Sequence, residues 1–164
     1  MNSLKEKEEK MYPFVKKWLE TYLKKTYKNC HVEVVDSHLL SLDSVIRMYK
    51  FDNFIKAYQT YKIKIDIAGF IIKPNKEVEI ALVECKSKNI SLKDLSQIIG
   101  YTLIVKPVIS IIVGTGINRS IRELLQIYNR RDIIQYKISS KTRTKEIKFA
   151  KFSWDNHKIE FINL

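Results

Sequence analysis

Two apolar segments joined by a short polar turn constrain the fold of this chain more than any other part of the sequence. Between Lys64 and Lys88 the chain reads KIDIAGFIIKPNKEVEIALVECKSK. Tyr61 to Ile72 and Val78 to Ser87 have the composition of strands, and Lys73-Pro74-Asn75-Lys76 between them is typical of a turn. We therefore predict a β-hairpin whose two strands are both buried.

The register of this hairpin follows from the turn. If the hairpin is centred on Asn75, facing residues have position numbers that add up to 150, and apolar residues then face apolar residues along both strands. The same register places Asp66 opposite Glu84. Because side chains alternate along a strand, Asp66, Glu84 and Lys86 are predicted on one face at one end of the hairpin. A slip of one residue would separate them.

Charged side chains at the end of a buried hairpin need a physical explanation, because unpaired charges are costly to bury. Two facing carboxylates repel each other unless a cation lies between them. Mg²⁺ is a natural occupant, since it takes oxygen ligands and keeps water molecules that a substrate phosphate can displace. The ligands would be Asp66, Glu84 and the backbone carbonyl of Cys85. Lys86 would position the attacking water and stabilise developing negative charge. A salt-bridged strand end without catalytic function explains the same residues.

This pattern resembles the PD-(D/E)xK nuclease superfamily, which includes restriction endonucleases, archaeal Holliday-junction resolvases and RecB-like nucleases. The similarity covers the order of elements from about Glu6 to Val113, and the matching residues are Ile65-Asp66 and Glu84-Cys85-Lys86. Ile65 stands where the family motif has proline, a difference that removes no ligand. The resemblance implies that the two acids hold Mg²⁺ or Mn²⁺ and that the lysine assists hydrolysis of a phosphodiester.

The resemblance extends to two further positions. Gln97-x-x-x-Tyr101 is similar to the Q-x-x-x-Y pattern of RecB-like members, in which the Gln supports the active site and the Tyr approaches DNA. Gln and Tyr at this spacing also occur on ordinary helix flanks. Many family members carry a glutamate on the first helix. Glu8 is the candidate here, because it lies at the end of the predicted buried stripe of that helix, and Glu9 and Glu20 are the alternatives.

The rest of the chain predicts an α/β fold. Before the hairpin, the predicted elements are a helix from Leu4 to about Thr26 that Pro13 interrupts, a strand over His31 to Val35 and a mixed segment over Asp36 to Gln59. After the hairpin, we predict a helix that is opened by Ser91 and Asp94 and ends at Pro107, a strand over Val108 to Val113 and a helix from Asn118 to about Tyr128. Three further strands are predicted over Ile133 to Ile138, Lys145 to Phe152 and Lys158 to Ile162. Together with the resemblance, this order predicts a restriction-endonuclease-like αβββαβ core with a mixed central sheet flanked by helices. We expect one domain, with a core over about 4–116 and an extension of one helix and β-strands over about 117–164.

The net charge of +12, from 30 Lys and Arg against 18 Asp and Glu, favours a polyanionic partner, above all DNA. A Lys-rich solubilising surface is the alternative. Ser139 to Lys145 is the best single loop for backbone contacts to DNA. The predicted DNA-contacting residues are Tyr101, Lys64, Lys88, Lys93, Arg119, Arg122, Lys141 and Arg143, and Lys62 also lies near the site in sequence.

These observations predict a Mg²⁺- or Mn²⁺-dependent deoxyribonuclease. The alternatives are a DNA-binding or assembly protein that keeps the fold without turnover, and a nuclease directed at DNA junctions or at RNA. The sequence has no apolar run long enough for a membrane span and does not begin like a secretory signal, so we expect an intracellular, cytoplasmic protein. Many members of the superfamily dimerise to cut both strands, which makes a homodimer an expectation from the resemblance.

Overall fold

The first helix, α1, runs over Leu4–Thr26 in the computed structural model, which describes residues 3–164. It begins with a capping box, in which the Ser3 hydroxyl accepts from the Glu6 N–H and the Glu6 carboxylate accepts from the Ser3 N–H. This cap starts the helix well before Pro13, which lies inside it. The predicted interruption at Pro13 is therefore wrong, because the helix continues through the proline. Its buried face consists of Met11, Tyr12, Val15, Leu19 and Leu23.

Eleven helices and strands follow α1. They are β1 (His31–Asp36), α2 (Leu42–Met48), β2 (Ile67–Ile72), β3 (Val78–Cys85), α3 (Leu92–Val105), β4 (Ile109–Gly114), α4 (Arg119–Arg122), β5 (Gln135–Tyr136), β6 (Lys145–Glu146), β7 (Lys148–Ser153) and β8 (Lys158–Ile162). Single 3₁₀ turns lie at Tyr58–Thr60 and Arg131–Ile134, and a π-helical turn at Glu123–Ile127 continues α4.

One mixed sheet of six strands organises the fold, in the order β1-β2-β3-β4-β7-β8. The pairs β3–β4 and β4–β7 are parallel, and the other three pairs are antiparallel. Helix α1 packs on one face, whereas α2, α3 and α4 pack on the other. Strand β4 is buried along its whole length, as expected for a central parallel strand. The predicted α/β class with a mixed sheet flanked by helices is confirmed.

The predicted hairpin forms in the predicted register. Ile67 faces Val83 and Ile72 faces Val78, so facing positions add up to 150. The turn closes through a 2.9 Å hydrogen bond from the Lys76 N–H to the Lys73 carbonyl. The ladder ends at the pair Ile67 and Val83, one position short of the predicted pair Asp66 and Glu84.

The first hairpin strand is shorter than predicted, because Tyr61 to Ile65 do not join the sheet. The carbonyls of Ile63 and Tyr61 instead accept from the N–H groups of Leu42 and Asp43, at 2.8 and 3.1 Å. These donors belong to the first turn of α2, where backbone N–H groups lack a partner inside the helix. The mixed segment before β2 is therefore a helix-containing insertion whose start is tied to the chain that follows it.

Three predictions in the C-terminal part are wrong in detail. In the predicted strand Ile133 to Ile138, the first two residues end a 3₁₀ turn and only Gln135 and Tyr136 form β5. The predicted strand from Lys145 to Phe152 is divided at Ile147, because β6 pairs with β5 whereas β7 joins the main sheet. Asn118 precedes α4, but its side chain makes no capping hydrogen bond. The segment over about 117–164 nevertheless supplies β7 and β8 to the same sheet as the hairpin.

Candidate active site

The hairpin end that carries Asp66 and Glu84 lies between α1 and α3. Asp66 directly precedes β2, Glu84 is the penultimate residue of β3, and Lys86 follows that strand. Helix α1 contributes Tyr12 through a hydrogen bond to Asp66, and α3 contributes Gln97 through a hydrogen bond to Glu84. Four segments thus meet at one end of the hairpin, in the interior of the sheet order.

Both oxygens of the Asp66 carboxylate accept hydrogen bonds. The Tyr12 hydroxyl donates to Oδ1 at 2.8 Å and the Cys85 N–H donates to Oδ2 at 2.7 Å. Burial raises the pKa of Asp66 above its usual value, while these two hydrogen bonds act in the opposite direction. The carboxylate is therefore fixed in orientation and still has lone pairs for a further ligand.

Glu84 is only 3% exposed, and its two carboxylate oxygens have different surroundings. Oε1 accepts from Gln97 Nε2 at 2.7 Å and from Lys86 Nζ at 2.9 Å. Oε2 is buried without a hydrogen-bond partner. Burial, followed by the charge of Asp66, raises the pKa of Glu84 to about 7. A cation beside Oε2 would satisfy this oxygen and favour the ionised form.

Lys86 lies among acidic groups. Its ammonium donates to Glu84 Oε1 and, at 3.3 Å, to Gln97 Oε1, and it lies 4.0 Å from Asp94 Oδ1. Burial opposes its ionisation, but the surrounding carboxylates, Glu84 first among them, outweigh this effect and raise the pKa of Lys86. Lys86 therefore carries its positive charge at the hairpin end.

Of the three candidate glutamates on α1, only Glu8 has a hydrogen bond to the hairpin end. Its Oε1 accepts from the Ser87 N–H at 3.4 Å, and burial raises its pKa. Glu9 lies 4.0 Å from His38, and Glu20 pairs with Lys24 at 2.5 Å. Of these three glutamates, the structure brings Glu8 to the hairpin end.

The predicted pair on α3 reaches the same cluster. Gln97 Nε2 donates to Glu84 and, at 3.3 Å, to the Tyr101 hydroxyl, so the amide bridges the carboxylate and the phenol. The thiol of Cys85 belongs to the buried core on the α1 side of the sheet, and burial raises its pKa well above the usual value. Only the backbone of Cys85 is therefore a candidate ligand.

The predicted DNA-contacting cations are all solvent-exposed. Within residues 3–164 none of them has a hydrogen bond or an ion pair with the carboxylates of the site. Arg119 pairs with Glu123 at 2.6 Å on its own helix. Lys62 forms an ion pair with the buried Asp43 at the start of α2, so it has a structural partner. The exposed basic residues are Lys64, Lys88, Lys93, Arg119, Arg122, Lys141 and Arg143.

Sequence reasoning missed three contributors to the site. Tyr12 lies one turn after Glu8 on the buried face of α1, where the helical pattern predicts only core packing. The sequence predicts Asp94 only as a capping residue, yet its carboxylate both caps α3 and approaches Lys86. The ring of His38 packs at a tilt of 46° against that of Tyr12, with centroids 4.8 Å apart, and its Nδ1 contacts Asp36. The role of Tyr12 could have been predicted from its spacing, because it lies one helical turn after Glu8.

The candidate oxygen donors at the hairpin end are the carboxylates of Asp66 and Glu84 and the backbone carbonyl of Cys85. In the described part of the chain, no three His, Cys, Asp or Glu side chains are grouped so that they would hold an ion. Two carboxylates, one of them with an unpartnered buried oxygen, and a backbone carbonyl match the preference of Mg²⁺ and Mn²⁺ for few protein oxygens and several waters. The residues present therefore fit such an ion.

Comparisons with models of protein families, with curated proteins and with solved structures return no match for this chain. None of the helices within residues 3–164 has the length and apolar character required to cross a lipid bilayer.

Proposed function

We propose that this chain is a Mg²⁺- or Mn²⁺-dependent nuclease of the PD-(D/E)xK type that hydrolyses DNA phosphodiester bonds. The observation that carries the proposal is the buried, unpartnered Oε2 of Glu84, on a carboxylate that accepts from Lys86 and whose pKa the charge of Asp66 helps to raise. A buried carboxylate oxygen without a donor is costly, and a bound divalent cation removes that cost.

The element order supports this proposal. Leaving out the insertion that contains α2, the chain runs α1, β1, β2, β3, α3, β4, which corresponds to the αβββαβ core of restriction-endonuclease-like folds. The site lies at the end of the hairpin formed by the second and third strands of this core. The net charge of +12 suits a polyanionic substrate.

Each residue at the hairpin end would have a distinct role in the proposed hydrolysis. Asp66, Glu84 and the Cys85 carbonyl would hold the ion, which when bound supplies Lewis-acid polarisation of the scissile phosphate. The Lys86 ammonium stabilises negative charge that develops on the phosphate oxygens and orients the attacking water. Gln97 keeps Glu84 and Lys86 in place through hydrogen bonds to both.

Cleavage assays on supercoiled plasmid, single-stranded DNA, four-way junctions and RNA, in Mg²⁺, Mn²⁺ or EDTA, test the proposal. We expect metal-dependent cleavage of DNA by the wild type, and a loss of about 10²-fold or more in Asp66→Asn, Glu84→Gln and Lys86→Met. The exposed pair Lys158–Glu160 on β8, 2.6 Å apart, offers matched controls. Lys158→Met and Glu160→Gln should cut like the wild type.

The results of these cleavage assays distinguish the proposed nuclease from the alternative functions. Equal cleavage by the wild type and the site variants would show that the site lies elsewhere. Metal-independent DNA binding without cleavage under any condition would favour a binding or assembly protein that keeps the fold. Preferential cutting of junctions or of RNA would reassign the substrate. Light scattering of the free and DNA-bound chain tests whether the active form is a homodimer.

A further inference from the structure

A groove opens directly beside the candidate site. It is lined by Lys7 and Lys10 of α1, by Ser87 after β3 and by Trp154 in the turn between β7 and β8. Ser87 connects the groove to the site, since it follows Lys86 in sequence and its N–H donates to the Glu8 carboxylate. A polymer lying in the groove would therefore lead to the two carboxylates.

Trp154 forms a supported aromatic surface in this groove. The indole is 36% exposed and meets the buried ring of Phe152 edge-on, with centroids 4.8 Å apart and an interplanar angle of 80°. In the same region Phe14 of α1 stacks on His157, with centroids 4.0 Å apart. An indole that is held by an aromatic neighbour and remains partly open to solvent is suited to stack on a planar ligand.

The two lysines make the groove cationic. Lys7 and Lys10 are three residues apart, so they lie on the same side of α1, and both are exposed. The acidic residues around them are engaged elsewhere: Glu6 in the helix cap, Glu8 with the backbone after β3 and Glu9 toward a histidine. The two ammonium groups are thus available to an anion that enters the groove.

We propose that this groove binds an unpaired segment of single-stranded DNA, with a base stacked on Trp154 and the adjacent phosphates at Lys7 and Lys10. Phosphates along a cationic groove and bases on an aromatic side chain are the two components of single-strand recognition. In a fully paired duplex the bases stack on each other and offer no free face to the indole. The inference rests on the proposed nuclease function and specifies its substrate as single-stranded or frayed DNA.

The stacking contact can be observed directly by fluorescence. The sequence has two tryptophans, so Trp18→Phe leaves Trp154 as the single indole. In EDTA, a short oligothymidylate should quench this fluorescence on binding. An abasic strand of equal charge should bind more weakly and without quenching, and a blunt duplex should leave the emission unchanged.

Substitutions test the two components separately. Trp154→Ala should weaken oligothymidylate binding about tenfold, Trp154→Phe should restore part of it, and duplex affinity should stay the same. Lys7→Gln with Lys10→Gln should lower the slope of log K against log salt for the single strand by about 1.4, since each phosphate contact contributes about 0.7. Lys16→Gln with Lys17→Gln, two exposed lysines further along α1, should lower it less.

Several results would overturn the inference. These are an unquenched Trp154 in the Trp18→Phe protein, unchanged single-strand affinity in Trp154→Ala, or an equal loss of duplex affinity in that variant. Tighter binding of an oligouridylate would reassign the ligand to RNA. Because binding is measured in EDTA, it is independent of cleavage. If cleavage depends on Asp66 but substitution of Trp154 leaves single-strand binding unchanged, only the inference about the groove fails. If single-stranded DNA quenches Trp154 but the protein cleaves nothing, only the proposed nuclease function fails.

Discussion

The hydroxyl of Tyr12 donates a 2.8 Å hydrogen bond to Asp66 Oδ1 and so joins α1 to the start of β2 across 54 sequence positions. The other oxygen of the same carboxylate accepts from the Cys85 N–H. Asp66 is therefore oriented by one side chain and one backbone group before any ligand arrives. Tyr12 thus positions Asp66, and through it Tyr12 would act on the proposed site.

Tyr12→Phe tests this relationship. Loss of a hydrogen bond to a charged group should lower the free energy of unfolding by about 1.5–3 kcal/mol. Tyr136→Phe removes the corresponding phenolic oxygen at a control position. The Tyr136 hydroxyl is buried near the Ser110 backbone but has no hydrogen-bond partner. That variant should be neutral or more stable. Urea unfolding of both variants in EDTA gives the comparison, and equal losses would contradict the assigned role of Tyr12.

The proposed metal site predicts a specific stabilisation by Mg²⁺. An ion that binds the folded chain alone raises the free energy of unfolding, by about 2.7 kcal/mol at a concentration of 100 times Kd. We expect the melting temperature of the wild type to rise with Mg²⁺ at constant ionic strength. Glu84→Gln should lose most of this rise because Oε2 is no longer a carboxylate oxygen, and Glu160→Gln should keep it. Equal rises in all three proteins would locate the ion away from Glu84.

The hairpin could be predicted from sequence because two independent signals agree. The turn around Asn75 fixes the centre, and the apolar residues on both strands fit the resulting register. Since this register also places Asp66 opposite Glu84, the core of the candidate site followed from local pattern alone. Gln97 and Glu8 came from the resemblance, and the structure brings both to the hairpin end.

What sequence reasoning missed depends on packing between distant segments. Tyr61 to Ile65 has strand-like composition, but its carbonyls pair with the start of α2, a contact that no local pattern reveals. Ile147 lies in an apparently continuous strand, yet the chain passes there from one sheet to another. The role of Tyr12 likewise arises only when α1 packs against the sheet. These contacts are set by tertiary structure, which overrides local propensity.

The loop between β5 and β6 is the simplest place to test the predicted contacts to the DNA backbone. Lys141 and Arg143 are exposed there, and hydrogen bonds between Ser139 and Thr142 close the loop. Lys141→Gln with Arg143→Gln should lower the slope of log K against log salt for duplex DNA by about 1.8. Arg130→Gln should change it less, since that guanidinium already pairs with Asp132. An unchanged slope in the double variant would exclude this loop from the interface.

The ion pair at the start of α2 predicts a pH dependence of stability. Asp43 is 1% exposed, and the Lys62 ammonium, followed by the Ser41 hydroxyl, holds the pKa of its carboxyl below the usual value. Because the folded-state pKa lies below that of the unfolded chain, ionised Asp43 stabilises the fold above the unfolded value of about 3.9. This stabilisation is lost as the pH falls through the folded-state pKa.

Asp43→Asn should therefore melt at a lower temperature than the wild type at pH 7, and the difference in melting temperature should narrow below about pH 4. Asp155→Asn, at an exposed turn position, should match the wild type throughout. A difference for Asp43→Asn that stays constant with pH would show that lost packing, and not the lost charge, causes the destabilisation.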